Sequence, residues 1–308
     1  MNLSRREFID RTFKGSSAVA LCGTQAVLAG AAEKKTPSIV VFSKIYQELK
    51  LNFDEAASLT AEAGLDGIDC PVRPGGEILP ERAEEDLPRY FEVLRRNNLQ
   101  LPLLTTGITS TATPHAEAVL RLAKKMGVLF YRLGFIDRKK DVPVMNQVRE
   151  VREQLKGLAA LNKEIGIGGM LQNHSPLGTT VYFGGNLEEL RQTVEGFDPA
   201  QLGIAFDIGH ALVVHGDKWR DEFEQLKPHF KIAYIKDVTR TGSWVPFGKG
   251  DIAATGYFTL LKTMRYQSPI SLHIEYDWTE NGKAKNRAAL LKALRDSSQV
   301  LRQWLSAG

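Results

Sequence analysis

Along the chain, short apolar runs alternate with longer stretches in which apolar residues recur every third or fourth position. Apolar runs of about four to eight residues between polar turns read as buried strands, and the longer period reads as helix. The first run covers 39–42, and a helix capped by Asp54 follows to about 63. The same alternation then repeats. Strands at 67–70, 101–105 and 129–133 precede helices at 84–96, 114–125 and 144–165. Strands at 168–174 and 202–207 precede helices at 186–194 and 218–227. Strands at 230–237 and 269–275 precede helices at 257–265 and 284–305. Eight such units with right-handed crossovers predict an α/β fold, a single-domain closed (β/α)8 barrel of the TIM type. An open doubly wound sheet is disfavoured, since no Gly-x-Gly-x-x-Gly follows any strand.

Residues 1–31 precede this pattern and read as an address. Ser4-Arg5-Arg6-Glu7-Phe8-Ile9 resembles the twin-arginine export signal, with Ile9 and Asp10 where the pattern has Leu and Lys. An apolar stretch follows, and Ala29-Gly30-Ala31 supplies a small-x-small cleavage site. The barrel is therefore expected over 32–308, in the periplasm or otherwise exported, after passage through the twin-arginine machinery. That route carries folded proteins, which suits a cofactor loaded beforehand. No other run approaches the ~20 apolar residues of a membrane helix, so no stable membrane association is expected once the signal is removed.

Charge changes the picture little. The whole chain has 40 basic and 36 acidic residues; the signal holds four and two of these, which leaves 36 against 34, a net +2. A nearly neutral chain gives no electrostatic reason to expect a nucleic-acid partner. Cys22 falls in the signal and leaves Cys70 alone, so no intrachain disulfide is expected.

Polar chemistry gathers where a barrel keeps its working residues, at the C-terminal strand ends. The run 203–210 places Asp207 at the end of an apolar strand and His210 three residues on. A buried carboxylate needs a partner. Side chains two apart on a strand share a face, so an inward Asp207 is matched by Gln172 and His174, Tyr234 and Lys236, and His273 and Glu275. Asp69, Arg132 and Arg73 occupy corresponding places in the first half. Each has a plainer reading: Asp207 and Glu275 as ion-pair partners of Lys236 and Arg132, His210 as a helix cap, His174 as a wall residue. Asp237 reads as a surface residue, and Trp244 and Trp278 either face a sugar or pack between loops.

On these residues the chain resembles the xylose-isomerase-like sugar isomerases and epimerases, a group that includes inosose dehydratases and related endonucleases. The segments carrying the resemblance are Asp207-Ile-Gly-His210, Tyr234-Ile-Lys-Asp237, Gly248-Lys-Gly250-Asp251 and His273-Ile-Glu275. It implies a small-molecule carbohydrate substrate and one divalent metal, Mn, Zn, Fe or Mg, held by Glu, Asp, His and Glu. Asp207 and Glu275 match the second and fourth ligands, and His210 matches a substrate-contacting histidine. Gln172 stands where the first ligand is normally Glu, and Tyr234 where the third is normally His. His174 and His210 can complete a mixed oxygen and nitrogen site with Asp207 and Glu275, and the expected metal set is Gln172, Asp207, His210 and Glu275; Asp69, Arg132, His210 and Tyr234 then face substrate. Lys236 alternatively replaces the metal's positive charge.

The expected activity is proton abstraction next to a carbonyl by an exported, metal-dependent isomerase or epimerase. With Gln172 neutral, a one-base lyase or dehydratase reaction is favoured over two-base epimerisation. Lys236, His174 and Glu275 are the expected catalytic groups, and His210 is a further candidate base. The alternative is a non-catalytic carbohydrate-binding barrel that has lost two metal ligands. A nuclease fits poorly with six histidines and a charge near zero.

Overall fold

The structure is a computed structural model that describes residues 36–279 and 284–308; the expected signal at 1–31 lies outside the described residues. Eight parallel strands close into a barrel in sequence order. They are β1 (Ile39–Phe42), β2 (Gly67–Val72), β3 (Gln100–Thr106), β4 (Phe130–Arg132), β5 (Gly168–Gln172), β6 (Leu202–Asp207), β7 (Phe230–Ile235) and β8 (Ile270–Leu272). Closure comes from β1 pairing with β8, Ile39 opposite Ile270 and Val41 opposite Leu272. The barrel expectation is met.

Between strands lie α1 (Phe53–Glu62), α2 (Ala83–Arg96), α3 (Ala116–Lys125), α4 (Val144–Ile165) and α5 (Leu187–Val194). Two helices, α6 (Ile208–His215) and α7 (Trp219–Leu226), separate β6 from β7, and α8 (Tyr257–Thr263) and α9 (Arg287–Ala307) complete the ring. Local chemistry sets several boundaries. Asn52, not the expected Asp54, caps α1: it accepts from the Glu55 N–H while Glu55 accepts from the Asn52 N–H, a capping box, and Asp54 lies within the first turn. The side chains of Asn186 and Asn286 cap α5 and α9 by accepting from the Glu189 and Ala289 N–H groups. Among the described residues no helix is long and apolar enough to cross a membrane.

Strand alternation splits the core in two. Outward side chains such as Ile204 and Phe206 pack under the helices in one large apolar layer. Inward ones, Leu103, Met170, Ala205, Ile232 and Tyr234 with Phe130 against them, fill the barrel itself. The fully buried Asp69 also points inward, where it meets Thr105 of β3 and Ser271 of β8. Above this plug the inward positions turn polar, and the C-terminal mouth begins.

Candidate active site

The mouth is organised by Asp207, the last residue of β6 and 0% exposed. Asn173 extends the β5–β6 ladder by one step with its side-chain amide: its Nδ2 donates to the Asp207 carbonyl at 2.9 Å and its Oδ1 accepts from the Asp207 N–H at 2.7 Å. The Asp207 carboxylate caps α6 by accepting from the His210 N–H at 3.1 Å. Asp207, not His210, is thus the cap. Its other oxygen, Oδ2, lies 3.1 Å from Gln172 Nε2 and 3.2 Å from Lys236 Nζ.

Lys236 enters from just beyond β7 and is 3% exposed. Its Nζ stands 2.9 Å from His210 Nε2 and 3.8 Å from Glu275 Oε1, and it lies over the Trp244 ring at 5.0 Å. A Cβ at position 209 would approach Lys236 Cγ to 2.9 Å and the Trp244 ring to 3.1 Å, so the glycine there is a steric requirement. With Lys236 donating to Nε2, His210 carries its proton on Nδ1 and donates to Ser175 Oγ at 2.8 Å. Burial and the Lys236 charge push the His210 pKa well below the ordinary range, so this imidazole is neutral.

Two basic groups flank Lys236. His174 donates from Nδ1 to the Ser175 carbonyl at 2.6 Å, which leaves its Nε2 lone pair open. Burial and Lys236 lower the His174 pKa to about 4. Its ring packs on His210 at 3.7 Å between centroids and meets Phe135 and Tyr182 edge-on. From the other side comes Glu275, whose side chain is 30% exposed. Burial alone would raise its carboxyl pKa, but the His273 ring, a polar neighbour at 3.9 Å and not a hydrogen-bond partner, and the Lys236 charge outweigh that and hold it below the usual carboxylate range. The carboxylate is ionised and reachable from solvent.

The remaining expected residues sit lower or to one side. Asp69 accepts from Thr105 and Ser271, each at 2.8 Å, and burial raises its pKa. Tyr234 is 1% exposed and its hydroxyl lies 3.5 Å from Thr105 Oγ1. Arg132 is also buried; it donates to the Leu133 carbonyl at 2.5 Å and its guanidinium covers Phe135 at 4.4 Å. Burial brings the Arg132 pKa down to about 10. Asp69, Tyr234 and Arg132 therefore form a floor under the mouth, while His174, His210, Lys236 and Glu275 line it.

Three groups escaped the sequence reading. Asn173 and Ser175 act through partners distant in sequence, Asp207 and His210, and neither carries a periodic signal. Strand alternation puts His273 inward but assigns it no role. It is 4% exposed, sandwiched between Phe42 and Tyr234 at 4.7 Å from each, and neither ring nitrogen has a hydrogen-bond partner. Its Nδ1 lies 3.9 Å from Glu275 Oε1, too far for a hydrogen bond. Asp237 corrects the expectation of a surface residue. It is buried and its carboxylate accepts from the N–H groups of Val238, Gly248 and Gly250 at 2.8–3.0 Å, which shapes the loop over the mouth. Trp278 packs between loops, donating to Glu48 at 3.2 Å, whereas Trp244 roofs Lys236 and His210.

A divalent ion on Gln172, Asp207, His210 and Glu275 does not fit this donor set. Asp207 Oδ2 is engaged by an ammonium and an amide N–H, His210 Nε2 faces the same ammonium, and Gln172 turns its NH2 group inward. An incoming cation would meet the lysine charge. Among the described residues, no three His, Cys, Asp or Glu side chains are grouped to hold a metal ion.

Comparison with known proteins matches residues 57–303 to the family described as xylose isomerase-like TIM barrel. No curated protein sequence matches the chain. Among solved structures, the 3-keto-D-glucoside 4-epimerase of E. coli superposes with a TM-score of 0.67 at 16% identity, over 87% of this chain and 100% of that one. The probable 3-DHS dehydratase of petrobactin synthesis from Bacillus anthracis gives 0.63 at 15% identity, over 87% and 99%. A xylose isomerase-like TIM barrel protein from Mycobacterium smegmatis in complex with magnesium gives 0.62 at 14%, over 88% and 99%. At these identities the likeness is one of fold.

Proposed function

The chain belongs to the xylose isomerase-like TIM barrel family, and from that premise we propose an exported enzyme that removes the proton next to the carbonyl of a sugar or keto-sugar. The observation that carries this reading is a buried lysine held between two open bases. Lys236 offers N–H donors where a carbonyl oxygen gains negative charge as the proton leaves. Glu275, ionised and within 3.8 Å of Lys236, is placed to take that proton. The open Nε2 of His174 lies across the site on the β5 side, suited to exchanging a proton with a hydroxyl of the same substrate.

Two outcomes follow from one enolate. Return of a proton to carbon gives an isomer or epimer, with the electron pair of the enolate forming the new C–H bond. Expulsion of a hydroxyl at the next carbon, protonated as it leaves, gives an unsaturated ketone and water. Gln172 supplies no second carboxylate base, which favours elimination; the epimerase and probable dehydratase among the structural neighbours support either.

The test is loss of that proton. Incubation with ketohexoses and 3-keto-glucosides in D2O, followed by NMR, is expected to show either deuterium at the carbon beside the carbonyl in recovered substrate or epimer, or loss of that C–H signal as the unsaturated ketone forms. The rate should drop at least a hundredfold in Glu275→Gln. Saturable sugar binding with neither result in any substrate would instead make the chain a carbohydrate-binding barrel.

A further inference from the structure

We propose that the resident cation of this site is the Lys236 ammonium, and that it and a divalent metal ion are mutually exclusive occupants of one donor set. The proposal rests on the sugar-enzyme reading for the meaning of the site, but on the site's own geometry for its content. Four distances define it. Lys236 Nζ is 3.2 Å from Asp207 Oδ2, 2.9 Å from His210 Nε2 and 3.8 Å from Glu275 Oε1, and 5.0 Å from the Trp244 ring centre.

Those three donor atoms come from the ends of β6 and β8 and the start of α6, and they surround a point near the end of β7. That is how an oxygen- and nitrogen-ligated cation is surrounded, and here a side chain supplies the charge. Two carboxylates so close would repel each other without a cation between them. Lys236 meets that need from within the chain, and the Trp244 ring lies against the same ammonium. The rest of the set agrees. Gln172 donates an N–H to Asp207 instead of offering a carboxylate, so the ionised groups paired at Lys236 Nζ are two acids against one lysine. A divalent ion added to that set would place three positive charges against two negative ones, in a pocket where Asp207 and Lys236 are almost wholly shielded from water.

The chemical consequence is a fixed electrophile. A lysine tethered by Asp207 and His210 contributes one charge and N–H donors of set direction, while a metal ion would contribute two charges and open coordination positions. The substrate oxygen is then bound by hydrogen bonding, in competition with Glu275 for the remaining Nζ–H.

The test uses Mn2+ with the mature protein, read by the EPR signal of the free ion, in wild type, Asp207→Asn, Lys236→Met, Lys236→Arg and Lys236→Met/Asp207→Asn. Each is first checked for native circular dichroism. Wild type and Lys236→Arg are expected to leave the free-ion signal unchanged. Lys236→Met is expected to bind one equivalent at least tenfold more tightly than wild type, and the added Asp207→Asn to abolish that gain. Wild type that binds one Mn2+ in an Asp207-dependent manner overturns the proposal, even if the Lys236 variants do not fold. A folded Lys236→Met that gains no affinity overturns it as well. Proton loss in D2O by wild type with EDTA separates the two readings. Proton loss that requires Mn2+ sinks the lysine assignment and leaves the sugar enzyme standing; absent proton loss with the expected Mn2+ results does the reverse.

Discussion

Glu77, in the loop after β2, has an enclosed carboxyl group: Ser43 donates to one oxygen, and the other has no partner. Burial raises its pKa to about 7 against an ordinary 4.5. Between those values the unfolded chain has released a proton that the folded chain keeps, so stability falls as pH rises through this window. His174 works in the opposite sense. Its folded pKa of about 4 lies below the ordinary 6.5, so its contribution is present above about 6.5 and is lost as pH falls towards 4. Comparing wild type with Glu77→Gln cancels the histidine. The variant should gain about 2–3 kcal/mol relative to wild type between pH 5 and pH 8, measured by urea unfolding. A difference that does not vary with pH would remove the assignment. At this scale the sequence was partly legible. Period-two alternation placed Asp207, Lys236 and Glu275 on one face, because strand geometry forces it. It gave no sign that Ser175 orients His210 or that Asn173 continues the β5–β6 ladder.

Element boundaries followed local patterns where one face of an element is wet. The helices α2 and α3 are amphipathic and were found nearly to the residue. No sequence pattern marks α6, because Ile208–His215 is mostly buried and shows no polar stripe to set a helical period. The long β7–α8 loop shows the same limit. No local pattern shows that Asp237 gathers the N–H groups of Gly248 and Gly250 onto one carboxylate, or that any Cβ at position 250 would collide with it. Removing the carboxylate strands several enclosed N–H groups. Asp237→Ala should therefore cost about 3 kcal/mol in urea unfolding. It should also speed tryptic cleavage at Arg240 and Lys249, and unchanged stability and cleavage would show that the loop holds itself. Trp244 rides on this loop, so the variant also loosens the roof over Lys236.

For the whole molecule, the barrel closes only when β1 meets β8, two strands separated by most of the chain. Counting eight strand–helix units was enough to foresee that closure, since a parallel sheet with short right-handed crossovers of this number curls onto itself. The export reading belongs to this scale too. Expressed in a bacterium with the twin-arginine pathway, the chain should be recovered from the periplasm shortened by about 31 residues, as the small-x-small site requires. Arg5→Lys with Arg6→Lys should leave it full-length in the cytoplasm. Unshortened wild-type protein in the cytoplasm would end that reading.

Strand count, order and inward-facing residues were determined by the sequence alone, because apolar periodicity and alternation are local properties of a chain. Whether Asp207 and Glu275 hold a metal or a lysine was not local. That depended on four strand ends converging within a few ångströms, on Gln172 turning its amide towards Asp207, and on a glycine at 209 that lets Lys236 pass. Charges many residues apart meet only once the barrel has closed, so the identity of the cation was decided by the tertiary structure.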